Sequence, residues 1–148
     1  MITLRWLTLI SAAAVLSGCS YLMGAVMGPT KMYAGPDRPA SEISTIEEGG
    51  GVVVRSVNGE AVPAFNSPIL HVLPGEETLL VHYTEKYSNA AWESVAWNDF
   101  RVSFRAEPGR RYKVMGGSIA IGRGLCVGVK DVEADKIVAA TGIPCSSY

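Results

Sequence analysis

The chain has 148 residues, with 13 basic and 14 acidic side chains and a formal charge of −1. That balance leaves no basic excess for nucleic acid or an anionic membrane surface. Two histidines and three cysteines leave few residues for metal or thiol chemistry.

Met1 to Arg5 carries one positive charge, and Trp6 to Val15 is an apolar run. The run is too short to span a bilayer comfortably and suits the core of an export signal. Leu16-Ser17-Gly18-Cys19 follows, and small residues there let the backbone extend into a peptidase site. This tetrapeptide resembles the lipobox of bacterial lipoproteins. The resemblance implies a diacylglycerol on Cys19, cleavage just before it, and further acylation (palmitate-type chains) of the new amine. Several acyl chains anchor stably where one does not. Ser20, in place of an aspartate, implies sorting to the outer membrane, facing the periplasm.

Removing residues 1–18 takes away Arg5 and brings the charge to about −2. About 130 residues remain, enough for one domain with a core. Export places Cys126 and Cys145 in an oxidising compartment, where they are expected to form a disulfide. The loop of roughly 20 residues would be worth about 3 kcal/mol. Neither cysteine has a histidine or a second cysteine at ligand spacing, so no metal is expected.

Residues 19–39, rich in Gly, Pro, Met and Ala, read as the lipidated cysteine and a tether, with Met32 and Tyr33 touching the domain. Residues 40–148 read as the folded domain. "SEISTIEE" (Ser41 to Glu48) and the β-branched "VVVRSV" (from Val52) read as strands. Asn58-Gly59 predicts a tight type I′ hairpin, since both positions tolerate positive φ. "PILHVLPGEETLLVHYTEKY" predicts two strands about Pro74-Gly75, which would bring His71 near His82 across a hairpin. "SNAAWESVAWND" (Ser88 to Asp99) reads as an exposed connection, with room for a helical turn. Phe100, Val102 and Phe104 alternate with Arg101, Ser103 and Arg105, the period of a half-buried strand. Pro108-Gly109 turns the chain. "RRYKV", "IAIGRGLCVGVKDVE" and "ADKIVAATGI" complete the set, the last as a short strand or one helical turn.

Seven or eight short strands with regular turn signals predict an all-β domain, a single antiparallel β-sandwich. The turn elements "VNGEAV", "ILHVLPGEETLLVHY" and "FRAEPGRRYKV" resemble PEGA-type β-sandwich modules. That resemblance implies a small bacterial surface domain and no enzymatic activity. Met32-Tyr33-Ala34-Gly35-Pro36 is similar to the opening of a family of small uncharacterised envelope lipoproteins, which brings no chemistry with it.

No nucleophile elbow, phosphate loop or metal-ligand spacing is present, so neither an enzyme nor a cofactor is expected. A glycosidase pair of carboxylates would need partners that meet only in space. Tyr87, Trp92, Trp97 and Asn98 cluster in one polar stretch. They form either a binding surface, because such aromatics stack on sugars and anchor interfaces, or, for the tryptophans, part of the core. Arg101, Arg105, Arg110 and Arg111 are expected on one solvated face near Pro108-Gly109. The expected role is a non-catalytic binding or assembly module for another envelope protein. The alternative is a glycan module, recognising peptidoglycan through the Trp92/Trp97 loop. The membrane partner is the lipid anchor.

Overall fold

A computed structural model describes residues 27–88, 93–118 and 124–142. The described residues form two packed β-sheets with no α-helix. The strands are β1 (Thr30–Lys31), β2 (Ser44–Glu48), β3 (Val52–Val57), β4 (Glu60–Ala61) and β5 (Ile69–Val72), followed by β6 (Gly75–Ser88), β7 (Glu93–Ala106), β8 (Arg111–Ser118), β9 (Leu125–Asp131) and β10 (Lys136–Gly142). One sheet has the order β1-β5-β2-β8-β9-β10 and the other β4-β3-β6-β7.

The sandwich is as expected, but the first sheet is mixed rather than purely antiparallel. β1 runs parallel to β5, and β2 parallel to β8. For β2 and β8 the cause lies at the Pro-Gly turns. Pro74-Gly75 and Pro108-Gly109 do not close hairpins; each carries the chain from one sheet to the other. At the second turn, Gly109 has φ 73° and its N–H donates to the Ile43 carbonyl at 2.7 Å. Asn58-Gly59 does close the β3–β4 hairpin, with φ 51° and 84°, as its turn chemistry requires.

Alternation fills the space between the sheets. β6 contributes Leu79, Val81 and Tyr83, and β7 contributes Phe100, Val102 and Phe104. They meet Ile46, Leu70, Tyr112, Val114, Val127 and Val129 of the six-stranded sheet. Phe104 and Tyr112 pack with ring centroids 4.9 Å apart, tilted by 56°. The Tyr112 hydroxyl accepts the Glu107 N–H at 2.9 Å, which satisfies the one polar atom of that buried ring. The segment expected to be a tether is in part structural: β1 adds to β5, and Met32 packs on the core.

Two carboxyls lie within this apolar frame. Glu77 is 4% exposed and accepts the Asn58 side-chain amide at 2.9 Å. Glu48 accepts the Val54 N–H at 2.7 Å, beside the register shift in β3. Burial pushes both above the usual carboxylate range, against the pull of those hydrogen bonds. The folded state therefore holds these protons more tightly than the unfolded chain does. Their contribution to stability is complete below the ordinary glutamate value, about 4.3, and is lost as pH rises through the folded value. Glu77→Gln keeps an acceptor for Asn58 and removes the ionisation. Its unfolding midpoint in urea should exceed that of the wild type at pH 7.5, with the gap closing towards pH 4. A gap that widens on acidification would contradict this.

Candidate binding surface

β6 and β7 form a ribbon registered from Gly75↔Ala106 to Ser88↔Glu93. β3 pairs with β6 only as far as Val52↔Tyr83, so the distal half of the ribbon extends past β3. The stretch expected to be a loop is therefore strand: Glu93 to Asp99 belong to β7. It looked loop-like because a ribbon that extends past its sheet leaves polar residues on both faces.

The outer face of the four-stranded sheet is built from the residues that alternate with the core. Val53 pairs with His82, His82 with Asp99, and Thr84 with Trp97. His82 Nδ1 lies 2.7 Å from Asp99 Oδ1, so the nitrogen carries the proton and the carboxylate accepts it. The Trp97 ring lies against His82, with centroids 5.8 Å apart and a 32° tilt. Trp97 is 66% exposed, Val95 51% and Val53 39%. Trp97 is thus a surface residue, and the core reading of it is overturned. The alternation that buries Phe100, Val102 and Phe104 turns odd-numbered β7 residues outward.

Tyr87, Trp97 and Asn98 are brought together. With Ala96, Gly124 and Leu125 they line an open cavity of about 300 Å³. They do not form one aromatic platform: by register Tyr87 shares the face of Tyr83, while Trp97 shares that of His82. Trp92 lies outside the described residues. A second open cavity, of about 430 Å³, lies on the same outer face, lined by Ser56, Asn58, Gly59, Thr78, Leu80 and Arg101.

Other expected groupings separate. His71 pairs with Thr45 and Lys31 in the six-stranded sheet, so it does not meet His82. Burial lowers its basicity, partly offset by Asp37. The four arginines do not share a face. Arg101 and Arg105 lie on the outer face of β7. Arg110 pairs with Glu107 and Asp131, and Arg111 with Glu47 and Glu133. Among the described residues no group of three His, Cys, Asp or Glu side chains is placed to hold a metal ion. Cys126 is buried and disulfide-bonded; Cys19 and Cys145 lie outside the described residues.

The His82–Asp99 pair and exposed Val53 and Val95 were not singled out from the sequence. Only the register Val53↔His82↔Asp99 brings them together. Comparison with protein-family models, curated proteins and solved structures returns no match to this chain.

Proposed function

We propose that the chain is a bacterial envelope lipoprotein, anchored through Cys19 to the periplasmic face of the outer membrane. Its β-sandwich serves as a non-catalytic binding or assembly module for another envelope protein. The observation that carries the binding role is the bare outer face of the four-stranded sheet. There Trp97, Val95 and Val53 are exposed around the His82–Asp99 pair. Exposed apolar groups set among polar ones are where protein partners dock, and tryptophan is prominent among interface anchors.

A glycan reading has one observation in its favour, the cavity shared by Tyr87, Trp97 and Asn98. The opposite-face placement of the two aromatics favours a protein partner, because a sugar ring stacks on a single platform. We also assign Cys145 as the partner of Cys126. Gly142 lies opposite Cys126 in register, and three further residues reach about 10 Å. Peptide mapping without reduction should find the two joined.

The test of the binding role is photo-crosslinking in cells, with a photoreactive residue at position 95 of the full-length chain and a control at Glu60. A discrete adduct with another envelope protein at 95, absent at 60, is the expected result. Absence of any protein adduct, together with co-sedimentation of the chain with purified sacculi, would replace this reading with the glycan one.

A further inference from the structure

β7 is an edge strand, hydrogen-bonded to β6 on one side only among the described residues. Which of its residues face the open side follows from β6. Thr84 N–H donates to Gly51, and Thr78 C=O accepts from Asn58, so even-numbered β6 residues bond to β3. Odd-numbered β6 residues then bond to β7, and their register partners there are even-numbered, as in Tyr83↔Asn98. The odd-numbered residues of β7, from Glu93 to Arg101, thus direct their N–H and C=O groups away from the sheet. The Asp99 N–H shows the consequence: it donates to the neighbouring Asn98 Oδ1 at 2.9 Å, as an edge group without a strand partner does. Long open edges of this kind are templates for strand addition.

We propose that this edge pairs antiparallel with the same edge of a second copy of the chain, about a two-fold axis at Trp97. Charge decides the occupant and the register. Centred on Trp97, Glu93 stands opposite Arg101 of the second copy, twice over by symmetry, and Trp97 opposite its equivalent. Arg101 and Glu93 are both exposed, and neither has an ion-pair partner among the described residues, whereas Arg105 is engaged by Glu76. Moving the axis one residue towards the N-terminus sets Glu93 against Asp99. Moving it two residues towards the C-terminus sets Asp99 against itself. The register between these, centred on Asn98, pairs no charges. Unlike charges directly opposite stabilise a strand pair and like charges weaken it. An axis on Phe100 would also set Asp99 against Arg101, but Asp99 is already engaged by His82, so the register centred on Trp97 is favoured. The pairing joins the two four-stranded sheets into one and places both outer faces, with both Trp97 rings, on the same side. It is a self-association, separate from docking of another envelope protein on that face.

The test uses the full lipidated chain in detergent, with its monomer–dimer equilibrium read by sedimentation. Glu93→Arg and Arg101→Glu should each weaken the dimer by about tenfold, because each turns both attractive pairs into repulsive ones. The combined Glu93→Arg/Arg101→Glu variant should restore it. Both changes lie on exposed positions, and unchanged unfolding midpoints of the three variants check that folding is intact. A wild type that stays monomeric, or a dimer indifferent to all three variants, would overturn the proposal. Crosslinking of position 95 to another protein would not rescue it, and a dimer would not by itself support that docking.

Discussion

Asn58→Ala is expected to destabilise the fold by about 2–4 kcal/mol. Asn58 does three separate things. It adopts φ 51° in the β3–β4 turn, a conformation that asparagine tolerates and alanine resists. Its Oδ1 accepts the Thr78 N–H at 2.8 Å, and its Nδ2 donates to Glu77 Oε2 at 2.9 Å. Its own N–H donates to the Thr78 carbonyl at 2.8 Å. Alanine keeps only the last of these contacts and leaves the buried Glu77 carboxyl without its amide donor, where an unsatisfied buried group costs more than an ordinary hydrogen bond gains. Asn58→Gly separates the effects, because glycine accepts the turn but makes neither side-chain bond. Urea unfolding should show a lower midpoint for both variants with the slope unchanged, and a smaller loss for glycine. A loss below about 0.5 kcal/mol for alanine, the range of an ordinary surface change, would contradict this arrangement.

Gly116→Ala should cost about 2–3 kcal/mol, by overpacking rather than by backbone strain. A Cβ at this position would stand 2.1 Å from Tyr83 Cε2, 2.2 Å from Cδ2 and 2.5 Å from Cζ. The ring has little room to retreat. It is 6% exposed, the same edge of the ring lies so close to Gly51 that a Cβ there would stand 3.2 Å from Cε2, and its hydroxyl donates to Glu85 Oε2 at 2.8 Å. Glu85 in turn accepts the Ser118 hydroxyl at 2.9 Å, so moving the ring disturbs a contact that ties β6 to β8. A double-mutant cycle isolates the cause. In a Tyr83→Leu background, Gly116→Ala should lose most of its effect, since contacting residues couple strongly. An equal cost in both backgrounds would show that the clash is not the mechanism.

Much of the fold could be read from local chemistry. Asn58-Gly59 specified a hairpin, and the alternation from Phe100 to Arg105 specified a strand with one buried face. What could not be read was which strands become neighbours. Pro74-Gly75 and Pro108-Gly109 carry the same turn signal whether they close a hairpin or cross between sheets, and only tertiary packing separates the two. That ambiguity hid the parallel pair β2–β8 and separated His71 from His82.

The candidate surface was legible in composition but not in geometry. Tyr87, Trp97 and Asn98 do line one cavity. The loop-like context of Trp97 and Asn98, however, concealed a strand that turns Trp97 outward, to the face opposite that of Tyr87 on β6. The His82–Asp99 contact depends on a register set along the whole ribbon, and no local motif encodes it. Gly116 is a further case: its neighbours suggest a turn or bulge, yet its role is to admit the ring of Tyr83.

In the proposed function, presentation of this surface from a membrane depends on Cys19. The most direct measurement is metabolic labelling of cells with an alkyne-tagged palmitate, followed by separation of membranes and recovery of the full-length chain. Label on the wild-type protein in the outer-membrane fraction, with an unlabelled Cys19→Ala chain absent from that fraction, is the predicted result. A wild-type chain that carries no label and is recovered from the soluble fraction would contradict the anchored binding module.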